Sequence, residues 1–450
     1  MRAPRIPALL LLLFLLAGCS DPEVTEGADA GSDDLAATAD PEAEADADAP
    51  ADEPTAEEAT ADEPTEEEEE EEEIVIGSIH PLTGGLALDG NQMDNAIDMA
   101  VDRINEEGGI ESLGGAQLRV ISADSQGDPA IGQTEAQRMI DQGAVALIGA
   151  FQSAVTINIA TLAERSQVPL VIDVAVADEI IQEGSQYTFR IQPNGSAMGV
   201  NAAQYLADFI EASGEDLSTI AYLHQDDAFG NSVYDAFAGE AEGLGLEIVE
   251  TIPYNAFEVS TLSTEMARVD ASGADILINT GYYNDGVLVA RDALAAEPGV
   301  RVLMGVAQAA FDEPQFPEDV PEGSEYVLGS NYHPDATSDR VVQLRDDFGA
   351  EFGETMRSGA VFSYQAVELI ADALERAGSA DPTAVRDALS ETSFDDPLLA
   401  FAGPIEFDET GENVNAIPIV MQVQDGTPLQ VWPEEFAETE LVFPRVPWEE

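Results

Sequence analysis

Residues 74–109 read IVIGSIHPLTGGLALDGNQMDNAIDMAVDRINEEGG. Ile74-Val75-Ile76-Gly77 is a short, unbroken apolar run, which predicts a strand. From Asn91 to Glu107 the apolar residues Met93, Ile97, Ala100, Val101 and Ile104 fall on one face of a helix, and Gly108-Gly109 stops it. A strand, a polar loop and an amphipathic helix in immediate succession make the first unit of an α/β fold.

The alternation continues downstream. Strands are expected at 118–123, 145–148 and 170–173, with helices at 129–141 and 154–165 between them. Four strands separated by helices predict a parallel sheet covered on both faces. The pattern then restarts. Helices at 199–211, 231–244, 260–272 and 286–295 alternate with strands at 220–224, 247–252, 276–279, 302–305 and 327–330. Helices at 341–352, 360–377 and 383–390 follow, then a strand, a turn at Asp408-Glu409-Thr410-Gly411 and a second strand within 403–431. Two doubly wound sheets of similar size fit this order. One crossing between them falls near Arg190 to Asn194, where Pro193 at a strand end suits a hinge.

The first residues belong to no fold. Arg2 and Arg5 precede an apolar run from Ala8 to Leu16, and Leu16-Ala17-Gly18-Cys19 follows at once, which reads as a secretory signal peptide over 1–18. The run is far shorter than the roughly 20 apolar residues that span a bilayer. Cys19 is the only cysteine, so no internal disulfide is available. Leu-Ala-Gly-Cys resembles a bacterial lipobox, which implies acyl chains on Cys19 and a lipid anchor on the outer face of the cell membrane. Residues 19–73 are mostly Ala, Asp, Glu, Pro and Thr, ending in eight glutamates, and are expected to form a disordered acidic tether.

The chain carries 90 acidic residues against 16 basic ones, all of them arginine. The 65 acids and 14 arginines of 74–450 exclude nucleic acid as a partner, because phosphate binding needs Lys or Arg. Acid spread along the whole chain points to solubility in high salt ahead of attraction for a cationic ligand.

In open α/β sheets ligands bind beyond the carboxyl ends of the strands. That rule selects Leu88 and Asp89 after the first strand, Phe151, Gln152 and Ser153 after the third, and Val174, Ala175 and Val176 after the fourth. In the second half it selects Asp226 and Phe229, Tyr282 and Tyr283, and Ala307 and Gln308. Ser153 at a helix start either caps the helix or meets an anion or polar oxygen of a ligand. Tyr282 and Tyr283 either pack at a strand end or face a small ligand. His224 with Asp226 and Asp227 hints at a metal, but three widely separated histidines in the whole chain argue for no metal site. No G-x-S-x-G, P-loop, H-E-x-x-H or G-x-G-x-x-G occurs, so neither an enzyme nor a bound cofactor is expected.

At these loops the sequence resembles the type I periplasmic solute-binding proteins of the branched-chain amino acid (leucine/isoleucine/valine) kind. The resemblance rests on Ile76-Gly77-x-x-x-Pro81-Leu82-Thr83-Gly84 and Gly90. It continues in Ala96-x-x-Met99-Ala100-Val101-x-x-Ile104-Asn105-x-x-Gly108-Gly109-Ile110, then Asp124-Ser125-Gln126-Gly127-Asp128-Pro129, Gly281-Tyr282-Tyr283 and Tyr364-x-Ala366-Val367. It implies two Rossmann-like lobes joined by three strands that close on a ligand by hinge motion. Lobe 1 would be 74–193 plus 330–400, lobe 2 194–329 plus 401–434, and 435–450 a C-terminal tail. It implies a monomeric receptor that captures a small solute outside the cell and delivers it to the permease and ATPase of an ABC importer. A ligand sensor on the same fold is the alternative. Ser153 and nearby backbone N–H groups would grip a carboxylate, and Phe229 and Tyr282 would line lobe 2. The chain departs from the amino-acid binders in two places: Val176 stands where they use a threonine, and Ala307-Gln308 where they use a glutamate for the ligand's ammonium. Asp89, Asp173 or Asp226 is a possible substitute, and an amide, a urea-like compound or an organic acid is an alternative ligand.

Overall fold

The computed structural model of the protein describes residues 73–401, 403–434 and 437–448. The signal peptide, Cys19 and nearly all of the acidic tether lie outside the described residues. Glu73, assigned above to the tether, is instead the first residue of a strand and pairs with Arg119 at 2.7 Å.

The first lobe contains β1 (Glu73–His80), α1 (Ala87–Glu106), β2 (Gln117–Asp124), α2 (Pro129–Asp141), β3 (Ala146–Gly149), α3 (Ser153–Ser166), β4 (Leu170–Ile172) and β5 (Thr188–Arg190). Its strands are all parallel and run β2-β1-β3-β4-β5. The chain then crosses at 191–194 into α4 (Gly195–Ser213), β6 (Thr219–Gln225), α5 (Ala228–Leu244), β7 (Glu247–Tyr254), α6 (Ser263–Ser272), β8 (Ile276–Gly281), α7 (Tyr283–Ala296), β9 (Val302–Gln308), α8 (Phe316–Asp319) and β10 (Leu328–Asn331). A second crossing leads back to α9 (Asp339–Phe352), α10 (Ser358–Ala377), α11 (Pro382–Ser390), β11 (Ser393–Phe394) and β12 (Ile405–Glu406). A third leads to the hairpin β13 (Ile419–Gln424) and β14 (Thr427–Trp432). In the second sheet the parallel strands run β7-β6-β8-β9-β10, the same order as in the first lobe, and β13 and β14 extend it antiparallel beyond β10.

Alternating side chains along β1 supply opposite faces of its sheet. Ile74 and Ile76 pack with Ile97 of α1 and Val367, Ile370 and Leu374 of α10, while Val75 and Ile79 pack with Met139 of α2 and Val155 and Ile159 of α3. Both faces are therefore apolar, as a parallel sheet requires. Truncating the fully buried Ile76 to Ala would cost roughly 2–5 kcal/mol. In lobe 2, Ile220 and Tyr222 face one core and Ala221 and Leu223 the other.

Four details depart from expectation. The first sheet has a fifth strand, β5, whose buried Arg190 interrupts the apolar pattern. Residues 405–413 stay with lobe 1: Ile405 and Phe407 join its core, and Arg190 N donates to Gly411 O at 2.8 Å. Ser330 and Asn331 pair with β13 and so belong to the second sheet. The hairpin of the tail turns at Asp425-Gly426, both at positive φ, while Asp408–Gly411 forms a tight loop closed by the Phe407–Asn413 bridge. Helices α1, α4, α5 and α7 also begin three or four residues earlier than expected.

Candidate functional site

In each lobe the strand order reverses at one place, between β1 and β3 and between β6 and β8. The loops leaving those strands diverge to opposite faces and open a crevice there. Gly90 and Gly230 keep the two crevices alike. A Cβ at Gly90 would lie 2.2 Å from Pro81 O, and one at Gly230 1.9 Å from Gln225 O, so each helix packs directly on the strand end before it.

The two crevices face one cavity between the lobes, of about 680 Å³ with its open mouth included. From lobe 1, Asp89, Phe151, Ser153, Val174, Ala175 and Val176 line it, and from lobe 2, Phe229, Tyr282 and Ala307. Five other residues selected from the sequence lie elsewhere. Leu88 is half exposed, on the outer side of α1. Gln152 turns toward Gly127. Asp226 is exposed, and its neighbour Asp227 instead caps α5, accepting from Gly230 N at 3.0 Å. Tyr283 points away to donate to Asp319 at 2.7 Å. Gln308 is spent inside lobe 2, donating to Asn279 Oδ1 and accepting from Ala310 N, both at 2.7 Å.

One end of the cavity is apolar. Tyr282 is its centre, with its ring 6.0 Å from Phe151 of the opposite lobe and stacked on it, 5.4 Å from Phe229 and 5.6 Å from Phe257. Its hydroxyl donates to Asp227 at 3.2 Å, and burial together with that carboxylate raises the phenol's pKa. The wall at Val174–Val176 is held from behind. Arg190, fully buried, donates to Val176 O and to Ala177 O, the latter at 2.9 Å; Gln192 donates to Ala175 O at 2.9 Å and Tyr332 to Val174 O at 3.1 Å. Ser153 is the first residue of α3, and its Oγ accepts from Ala177 N at 3.2 Å.

The other end is polar, with the charged Asp89, Glu313 and Arg357 beside Asn331 and Ser358, and of these the sequence reading selected only Asp89. Arg357 donates to Asp89 Oδ1 at 2.7 Å, and its guanidinium sits 3.9 Å above the Tyr283 ring, a cation–π contact between the lobes. Burial raises the pKa of Asp89 although Arg357 opposes the shift. Arg357 is shifted upward despite burial, because Asp89 favours its charged form. Glu313, nine-tenths or more buried, accepts from Ser358 N at 2.9 Å through Oε1, and its Oε2 has no hydrogen-bond partner among the described residues. Arg357 and Ser358 open α10 and follow no strand, so the strand-end rule could not select them; Glu313, five residues beyond β9, and Asn331, the last residue of β10, lie at strand ends that the selection did not extend to.

The substitute carboxylates proposed for an ammonium partner behave differently. Asp173 is buried and already receives His80 Nε2 at 2.8 Å and Ser363 Oγ at 2.7 Å. Asp226 faces solvent. Only Asp89 reaches the cavity, where Arg357 holds it. Among the described residues no group of three or more His, Cys, Asp or Glu is placed to hold a metal ion, and no helix is long and apolar enough to cross a membrane.

The periplasmic binding protein family model matches residues 73–427. A Leu/Ile/Val-binding protein homologue of Brucella abortus is 27% identical over 392 residues, 83% of this chain and 94% of the relative. A leucine binding protein of Thermotoga maritima superposes with a TM-score of 0.68 at 22% identity, over 80% of this chain and 99% of its own. A solute-binding protein of an ABC transporter from Rhodopseudomonas palustris, solved with benzoate, gives 0.66 at 18% identity, over 80% and 95%. The chain belongs to the periplasmic binding protein family, in the type I group that includes the branched-chain amino acid binding proteins.

Proposed function

We propose that the protein is the extracytoplasmic solute receptor of an ABC importer. It captures one small solute in the cavity between its lobes and presents the closed form to a membrane permease with its ATPase. The observation that carries the reading is the pairing of two crevices, each at the strand-order reversal of its own lobe, across a single cavity crossed by Phe151 and Tyr282. Three chain crossings are few enough to bend, so closure exchanges water in the cavity for solute at modest cost. The names of the relatives support a transport role, and the aromatic end of the cavity supports a solute with an apolar body. Acyl chains on Cys19 and the acidic tether would hold a monomeric receptor near the permease.

Thermal denaturation of the purified protein against amino acids, amides, ureas, amines and carboxylates tests the reading. At least one class is expected to raise Tm, and to lower the radius of gyration in small-angle scattering. A panel of this breadth with no shift in either quantity refutes it.

A further inference from the structure

We propose that the charged end of the cleft, built by Glu313, Asp89 and Arg357, binds a protonated amine head group, with the solute's apolar body turned toward Phe151, Phe229 and Tyr282. The inference rests on the receptor reading and gives it a ligand class. The polarity of the cavity is the argument. Around Ser153 the wall is Val176, Phe229, Tyr282 and Ala307, which offers an ammonium no carboxylate. At the opposite end two carboxyls face one guanidinium. Arg357 is already engaged, by Asp89 at 2.7 Å and by the ring of Tyr283. Of the two carboxyls that line this end, Asp89 is taken by Arg357, whereas Glu313 keeps one oxygen, Oε2, that has no hydrogen-bond partner among the described residues. A buried carboxylate oxygen without a partner is costly, and an N–H donor brought by the solute removes that cost.

Burial raises the pKa of Glu313, and its neighbours oppose that shift. Arg345 and Arg357 lie close to it, and Ser358 N donates to Oε1. The adjacent Asp312 is raised more strongly, by burial first and then by the Glu313 charge. A carboxylate solute at this end would meet Glu313 with like charge, whereas an ammonium would pair with it in a water-poor site where such pairs discriminate strongly.

Isothermal titration of the full chain with benzylamine, benzamide, benzoate and leucine, in the native and Glu313→Gln forms, tests this. Native protein is expected to bind benzylamine and not benzoate. Glu313→Gln keeps an amide oxygen for Ser358 N, and is expected to weaken benzylamine at least tenfold while benzamide, which can turn its carbonyl to the new amide, stays within about threefold. Retained benzamide binding also shows that the variant is folded. Benzoate or leucine binding without benzylamine, or equal benzylamine affinity in both forms, overturns the amine assignment and leaves the receptor reading standing. No binding by any of the four probes overturns the amine assignment, and if the broader solute panel is also silent the receptor reading falls with it.

Discussion

Glu313, on lobe 2, accepts the backbone N–H of Ser358, on lobe 1, at 2.9 Å. This bond is one of several that join the lobes beside the cavity. Arg357 lies over Tyr283, Asn284 donates to Gly85 O at 3.2 Å, and Phe151 stacks on Tyr282. The lobes are thus in contact, and three of these four contacts involve residues that line the cavity. Whatever fills the cavity is therefore coupled to closure.

Removing the Glu313 side chain is expected to shift the solute-free protein toward an open form. Glu313→Ala deletes the acceptor for Ser358 N and leaves Arg345 and Arg357 with less compensating charge. Small-angle scattering should show a larger radius of gyration for Glu313→Ala than for the native protein without solute. Equal radii would show that the bond plays no part in holding the lobes together.

Tyr282→Ala is expected to reduce solute affinity at least tenfold. The ring touches Phe151, Phe229 and Phe257, so its loss removes the apolar end of the cavity and the contact across the lobes together. Tyr282→Phe keeps the rings and gives up only the bond to Asp227, and should cost no more than about threefold. Titration of both variants with the best solute from the panel checks this. If alanine and phenylalanine behave alike, stacking is not what holds the solute.

Much of this architecture was legible in the pattern of residues. The apolar run at Ile74 and the helical spacing from Met93 to Ile104 predicted β1 and α1, and the alternation restarting after Asn194 predicted a second sheet. β5 was not legible, because Thr188-Phe189-Arg190 is three residues long and holds a buried arginine made tolerable by the carbonyls of Val176 and Ala177 and by the Glu412 carboxylate. The strand-end rule reached Phe151, Ser153 and Tyr282, since those residues follow strands directly. It missed Arg357 and Ser358, which enter the cavity because α10 returns to lobe 1 after the chain has built lobe 2. It missed Glu313 because the turn after β9 carries the chain back toward the cleft only five residues later. Proximity made by a returning chain leaves no periodic trace in the sequence.

His80→Ala is expected to destabilise the first lobe by roughly 3–5 kcal/mol. His80 at the end of β1 and Asp173 just after β4 are both fully buried and meet at 2.8 Å, and Ser363 of α10 donates to the same oxygen at 2.7 Å. The change would leave a buried carboxyl with Ser363 as its one remaining donor among the described residues. Urea denaturation monitored by circular dichroism measures the loss. A change below about 1 kcal/mol would mean that solvent or repacking replaces the imidazole readily.

The Asp285 carboxyl gives the folded protein a pH dependence of a definite sign. It is buried beneath Tyr282, accepts from Tyr282 N at 2.9 Å and from the Tyr254 hydroxyl, and burial lifts its pKa from 3.8 to about 7. A carboxyl that keeps its proton more tightly when folded contributes stability that is fully present below pH 3.8 and is lost as pH rises toward about 7. Within that window the loss is at most roughly 1.4 kcal/mol per pH unit. Asp285→Asn keeps an oxygen for Tyr282 N and cannot ionise. The variant should therefore gain stability relative to the native protein as pH rises from 4 to 7, and hold that gain above it. Denaturation midpoints of the two proteins, measured at unit intervals from pH 4 to 8, decide the matter. Parallel curves would mean that Asp285 is ionised in the folded protein throughout, with the Tyr254 hydroxyl and the N–H of Tyr282 sufficient to hold the charge.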